Sequence, residues 1–248
     1  MNRVGAPLGA ANAARGSEPS VGTFGGDPPE LHPFPHRTAE KPGYGTSGGK
    51  PSAPRLPLAR LWGMIERQDH GDVLLLRLAH GKASALDLEL LDELCSAMDE
   101  FEASEARACV LTGTGSIFSA GVDLKRLVDG GAEYIDAFLP ALDRAISRLL
   151  FSDRPLVTAC NGHAIAGGCL VACCGDRRLG ARGKGRVGVP ELAVGVPFPP
   201  LAVELVRFSV GPKNLQRALL DAAVHSMEDA LELGFIDEVV EPEELEDR

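Results

Sequence analysis

Apolar and polar positions change their period several times between residues 62 and 241, and each change marks an element. Trp62 to Gln68 and Asp72 to Ala79 read as two strands, joined at Asp69-His70-Gly71-Asp72, a sequence suited to a hairpin turn. From Leu88 to about Ala103 the apolar set Leu91, Leu94, Cys95, Met98 and Phe101 recurs at helical spacing with acids on the other face, which predicts an amphipathic helix. Ala108 to Thr112 is a short buried strand, and Gly113 to Gly121 after it a flexible loop. Helices are expected at Asp123 to Val128 and Ala132 to Phe151, then a strand ending at Val157 to Ala159, a short apolar helix, and a strand at Arg177 to Gly180. Beyond a basic, glycine-rich connection at Arg182 to Arg186, helices are expected at Pro200 to Phe208, Pro212 to Leu220 and Met227 to Leu233, and a last strand at Ile236 to Val240. The alternation of strand and helix favours an α/β chain with crossover connections.

The chain is organised around residues 161 to 176, Asn-Gly-His-Ala-Ile-Ala-Gly-Gly-Cys-Leu-Val-Ala-Cys-Cys-Gly-Asp. From Ile165 the side chains are small or apolar all round, the mark of a helix buried on every face. Its first N–H groups have no intrahelical partner, and Gly167-Gly168 has no side chain to keep a ligand away from them. That makes a dry, positively polarised notch for an oxygen carrying negative charge. The same glycines also serve close helix packing, and this stretch alone supports both interpretations.

Composition divides the chain. Residues 1 to 60 hold 10 of the 29 glycines and 10 of the 18 prolines, so this segment is expected to be a disordered extension that cannot bury enough apolar area to fold. Residues 61 to 248 are enough for one core and form the expected domain. The net charge is -10, and residues 61 to 248 carry 18 basic against 31 acidic side chains. That argues against a nucleic-acid partner. No apolar run approaches a membrane span, and no signal or transit segment is evident, so a cytoplasmic protein without a membrane partner is expected.

Gly113-Thr-Gly-Ser-Ile-Phe lacks the third glycine of a dinucleotide fingerprint, and no G-K-[ST] follows. Neither Ser116 nor Ser119 sits in a G-x-S-x-G nucleophile elbow. The six cysteines, Cys95, Cys109, Cys160, Cys169, Cys173 and Cys174, lie in apolar surroundings without a C-x-x-C pair. They are expected to be reduced core thiols, not metal ligands.

KASALDLELLDEL, IFSAGVDLKRL, PLVTACNGHAIAGGCLVACCGDRRLGA, GVPELAVGVP and DALELGFIDEVV together resemble the crotonase, or enoyl-CoA hydratase/isomerase, superfamily over roughly residues 63 to 241. The resemblance implies a crotonase-like spiral of stacked β-β-α turns instead of a doubly wound sheet, and an acyl-CoA thioester as substrate, with no cofactor besides the CoA that the substrate carries. It puts an oxyanion hole on the backbone N–H groups of Val122 and Gly167, with Gly168 beside it. CoA contacts are implied from backbone around Lys82, Ala83 and Ala85 and from Ala120 to Lys125, including Asp123 and Leu124, with Lys82, Lys125 or Arg126 meeting phosphates or standing as solvated surface charges.

Hydratases of the superfamily carry one glutamate in the helix after the glycine turn and another in a Pro-Glu pair about twenty residues on. Here the first position is Leu170, and the second is Glu191 after Pro190. Hydration needs a carboxylate to deprotonate water and a partner for the other proton, whereas moving a double bond needs one base that takes a proton from C2 and returns one to C4. The resemblance is therefore to the Δ3,Δ2-enoyl-CoA isomerase branch, with Glu191 as the shuttling base, its pKa raised by Leu192, Val194, Val196 and Phe198. Glu133, Asp136 and Asp143 are the acids that would restore hydration from the neighbouring helix, though their spacing also fits a solvated face. Asp123 is expected to cap its helix, and His163 to be a hydrogen-bonded structural residue. Relatives continue past the equivalent of Arg248 into helices that cover the acyl site and build a homotrimer, and Val196-Pro-Phe-Pro-Pro200 replaces a glycine-rich run. Thioester hydrolysis and a non-catalytic acyl-CoA binder are the rival functions.

Overall fold

The computed structural model describes residues 63–248, and the expected extension over residues 1 to 60 lies outside them, as does Trp62. The first strand, β1 (Ile65–Asp69), turns back into β2 (Val73–Leu78) through the expected hairpin. The turn closes with Gly71 N–H donating to Asp69 Oδ1 at 2.8 Å and His70 N–H to Val73 O at 2.9 Å.

The amphipathic period after β2 gives α1 (Leu88–Ala103), which buries Leu91, Leu94, Met98 and Phe101 with Leu90 and Ala97. Cys95, at the edge of that face, is only half-buried. Asp87 caps the helix by accepting from Leu90 N–H at 2.8 Å, which satisfies one of its orphan donors.

Three turns of β-β-α follow, each sending one strand to each of two sheets. The first is β3 (Ala108–Thr112), β4 (Ile117–Ser119) and α2 (Leu124–Leu150); the second is β5 (Leu156–Cys160), β6 (His163–Ile165) and α3 (Gly167–Cys173). The third is β7 (Arg177–Ala181), β8 (Val187–Gly188) and α4 (Pro200–Leu220), after which β9 (Val224–His225), α5 (Met227–Leu233) and β10 (Glu238–Val240) close the chain. The larger sheet has the order β1-β2-β3-β5-β7-β10 and is parallel from β2 onward, and the smaller has the order β4-β6-β8-β9. This is the stacked spiral implied by the sequence motifs.

Several elements differ from the periodicity. The segment expected to be a loop contains β4, and Ile165 belongs to β6, not to the helix. Backbone pairing decides this: Ala164 N–H donates to Arg186 O and Ala166 N–H to Gly188 O, both at 2.8 Å, so the chain stays extended until residue 166. α2 and α4 each join the two expected helices across a non-helical glycine, Gly131 and Gly211. The last strand begins at Glu238, not Ile236.

The main core joins α1, the sheets and α3, with Phe101, Phe118, Leu86 and Val171 fully enclosed. Full burial of each such side chain contributes about 1.5–3 kcal/mol before conformational entropy is counted. All six cysteines are free thiols, and burial pushes Cys109 up to about 12 and raises Cys160, Cys169 and Cys174, so these four are inert packing groups. No helix among the described residues is long and apolar enough to cross a membrane.

Candidate active site

Three segments meet where the smaller sheet ends: the link from β2 to α1, the link from β4 to α2, and the turn from β6 into α3. Leu86 ties the first two together. Its N–H donates to Gly121 O at 2.8 Å and its carbonyl accepts from Asp123 N–H at 3.0 Å, so both flanks of Val122 are held. Ala120 N–H donates to Ala83 O at 2.9 Å. The turn into α3 lies against this pair. A side chain on Gly121 would start 2.5 Å from Ile165 O and 3.0 Å from Gly167 N, a separation that no Cβ occupies. Gly121 also has φ 85°, in the left-handed region that glycine enters without strain.

Val122 and Gly167 therefore share one corner. The space beside the Gly167 Cα is bounded by Leu86 Cδ1 at 3.0 Å, Val122 Cγ2 at 3.2 Å and Val122 N at 3.6 Å. Among the described residues neither the Val122 nor the Gly167 N–H donates to a protein acceptor. The backbone is strained at this point, because Ala166 has φ 52° and ψ -126°. An L-residue held there costs roughly 1–3 kcal/mol, a cost that persists where surrounding structure fixes the geometry. Gly168 is needed for a different reason: a Cβ there would sit 2.3 Å from Ser119 O. Close packing therefore applies to both glycines of the pair, while of the two it is the Gly167 N–H that lies beside Val122.

The carboxyl group comes from the third turn. Ala166 N–H pairs with Gly188 O, and three residues later Glu191 opens a one-turn 3-10 helix, Glu191–Val194, with Pro190 as its N-cap. Burial pushes the Glu191 carboxyl up to about 7, against a smaller downward pull from its own backbone. Its Oε2 is buried and has no hydrogen-bond partner among the described residues. Burial first, then the neighbouring thiols and finally the Glu191 charge raise the Cys169 thiol, the third residue of α3. A buried carboxyl group with a free oxygen and a pKa near neutrality is equipped to exchange a proton with a ligand.

The apolar setting of Glu191 is not the one its neighbours in sequence suggest. Leu192 is 43% and Val194 62% exposed, because the 3-10 turn faces them outward; Val196 and Phe198 are half-buried. The desolvation comes from burial of the carboxyl end itself, whose Oε2 is enclosed. Leu170, on α3, is buried.

The remaining expected contacts lie around the same corner. Lys82 is exposed and forms no ion pair among the described residues, while Ala83 and Ala85 are half-buried. Ala120 and Leu124 are exposed, and Asp123 caps α2 by accepting from Arg126 N–H at 3.1 Å. Lys125 is paired with Asp129, and Arg126 with Glu89 and, at 3.4 Å, with Asp87, so neither stands as an uncommitted cation. Glu133, Asp136 and Asp143 lie on the solvent face of α2. The His163 side chain makes no hydrogen bond among the described residues, contrary to expectation; its place is fixed by the β4-β6-β8 pairing of its backbone. Periodicity missed the buried Asp87 carboxylate, which joins His80 Nε2 at 2.7 Å to Arg126. Its position just before the helical run was the available signal.

Residues 68–248 match the family model described as enoyl-CoA hydratase/isomerase. The mouse mitochondrial enoyl-CoA delta isomerase 1 is 29% identical over 185 residues, 73% of this chain and 64% of that protein. The short-chain-enoyl-CoA hydratase of Clostridium acetobutylicum is 29% identical over 181 residues, 72% of this chain and 69% of that protein. The solved apo structure of an enoyl-CoA isomerase from Mycobacterium tuberculosis superposes with a TM-score of 0.69 at 33% identity, over 75% of this chain and 80% of that one. The chain spans a little under two thirds of the length of the mouse relative.

Proposed function

The chain belongs to the enoyl-CoA hydratase/isomerase family, and from that premise we propose that it is an enoyl-CoA isomerase, moving a double bond within an acyl-CoA thioester from C3 to C2. The observation that carries this is the solitary carboxyl group: Glu191 is half-buried, with its carboxyl pushed up to about 7 and its Oε2 enclosed and without a partner among the described residues, while α3 presents Leu170 where hydration would call for a second acid. In the proposed step the ionised Glu191 takes a proton from C2 of a 3-enoyl thioester. Negative charge collects on the thioester oxygen, which the Val122 and Gly167 N–H groups receive. Glu191 then returns a proton to C4, leaving the double bond between C2 and C3. No atom is gained or lost, so one acid-base group suffices. Preorganised amides of this kind are typically worth about 3 kcal/mol each in a transition state.

Hydration is the second interpretation, supported by the hydratase among the relatives. A 3-enoyl-CoA separates the two. Isomerisation raises the absorbance of the conjugated thioester, whereas a hydratase given a 2-enoyl-CoA consumes that absorbance and produces a hydroxyacyl thioester. The isomerase proposal expects the rise with wild-type protein and a loss of about 100- to 10,000-fold with Glu191→Gln. A Glu191→Gln protein of full activity refutes it. Release of free thiol without isomerisation, or titration of ligand without product, supports the hydrolase or the binder instead.

A further inference from the structure

The strand β4 carries a bulge. Ile117 pairs with His163 and Ser119 with the next residue, Ala164, so two steps along β4 match one along β6. A regular strand alternates its faces, but here the consecutive residues Phe118 and Ser119 are both fully buried. The bulge thus turns a hydroxyl into the interior beneath the corner shared by Val122 and Gly167.

That hydroxyl is committed on both sides. Ser119 Oγ donates to Ser84 O at 2.7 Å and accepts from Gly121 N–H at 3.2 Å, and both bonds are buried. Its main-chain oxygen fills the place a Gly168 side chain would need. Ser119 consequently touches all three segments of the corner: the link before α1 at Ser84, the link before α2 at Gly121, and the start of α3 at Gly168. Ser84 itself has φ 44°, an unfavourable backbone that this contact helps to hold. A nucleophilic role is ruled out by the bonding, since the proton is given to a carbonyl and no base is among the partners of Oγ.

We propose that Ser119 is a positioning residue for the oxyanion site: by fixing Gly121 against Ser84, its hydroxyl orients the Val122 amide so that it and the Gly167 amide reach one thioester oxygen. The inference rests on the function proposed above. Leu86 holds Gly121 O and Asp123 N, which leaves Gly121 N–H as the remaining handle on this soft glycine. Removal of the hydroxyl leaves that N–H and the Ser84 carbonyl buried and unpaired, and a turn of the Ala120–Gly121 peptide in response alters the backbone at Gly121 from which the next peptide, carrying the Val122 N–H, is hung.

The test compares wild-type protein with Ser119→Ala and Ser119→Cys in three measurements. These are kcat and KM with a 3-enoyl-CoA, the absorption band of a bound conjugated dienoyl-CoA, which moves to longer wavelength as its carbonyl is polarised, and thermal unfolding. Ser119→Ala is expected to lose about 10- to 100-fold in kcat with KM within about twofold, and to lose most of the band shift. Ser119→Cys, which keeps a weak donor and acceptor, recovers part of both. A band shift and kcat in Ser119→Ala equal to wild type overturn the proposal. So does a fall in activity that follows thermal stability while the band shift persists. A wild-type protein that neither isomerises nor shifts the band refutes the proposed function itself, and the inference with it.

Discussion

At the β7–β10 edge of the large sheet, half-buried charge is matched. Arg178 donates from Nε, Nη2 and its backbone N–H to the two oxygens of Asp237, and from Nη1 to Gly234 O at 2.9 Å. Around Gly121 and Gly167 the same chain does the reverse. Two backbone amides have no protein acceptor among the described residues, a carboxyl oxygen is buried without a partner, and Ser84 and Ala166 hold strained backbone. The first region converts its polar groups into stability; the second leaves them without protein partners, as the proposed function requires of a site that receives a ligand. Free energy forgone at the corner has to come from regions like the edge.

The largest effect that separates the two regions is expected at the edge. Asp237→Ala leaves the Arg178 guanidinium, only 13% exposed, without its counter-charge and removes the side-chain acceptor of the Arg178 backbone N–H, while the β10–β7 ladder itself is kept. Unfolding in denaturant should show a loss of about 3 kcal/mol, while kcat per folded molecule stays at the wild-type value. An equal loss of kcat at full folding would show that the edge and the corner are one mechanical unit, and the contrast between them would fail.

Next in size is a gain. The Glu191 carboxyl has its pKa raised from 4.5 to about 7, so between these values the folded protein keeps a proton that the unfolded chain has released. Stability from this group is complete below pH 4.5 and is lost as pH rises through about 7. Glu191→Gln carries no such dependence. Relative to wild type it is therefore expected to be more stable at pH 8 by about 1–2 kcal/mol, a figure reduced for the part of the group that water still reaches, and to lose that advantage at pH 4. If Glu191 is the proposed base, activity follows the opposite ordering, because a base works only when ionised: in wild type, kcat/KM should climb through pH 7 to a plateau. A variant that is less stable than wild type at pH 8 would mean that Glu191 is matched by a partner, as Asp237 is.

How far each region was legible in the sequence follows the same division. Elements whose side chains carry a long period, such as α1 and α5, or a compact apolar run, such as β3, were read within a residue or two of their bounds. β4, β6, β8 and β9 have two or three residues each, too few for any period to register; they are strands because neighbouring chain supplies their hydrogen bonds. Ile165 shows the cost, because an apolar residue between small ones fits a buried helix and a buried strand equally. At the site, the glycine turn was visible as a donor-rich notch from residue types alone, whereas Glu191 and Val122 stood out only through resemblance. Leu192 and Val194 were assigned the wrong face because a 3-10 turn has neither the strand nor the helix period. Ser119 was dismissed for lacking a nucleophile motif, and the bulge that turns it inward leaves no mark in the sequence.

The smallest expected effect tests whether strain at the corner is stored for a purpose. Ala166 occupies a backbone region natural to glycine, at φ 52° and ψ -126°. Ala166→Gly removes the Cβ penalty in the folded state and adds freedom to the unfolded chain, two terms of opposite sign. At so unfavourable a φ the first is larger, so a net stabilisation of about 1 kcal/mol is expected from thermal unfolding. The alanine also stiffens the peptide that carries the Gly167 N–H, and its loss should lower kcat by a few-fold while KM holds. A variant that gains stability at unchanged kcat would mean that the pairing of Ala166 N–H with Gly188 O already fixes the amide, and that the strain is a by-product of packing β6 beside β8. Lower stability would place the strain elsewhere, and with it the distinction between a corner held under tension and an edge at rest.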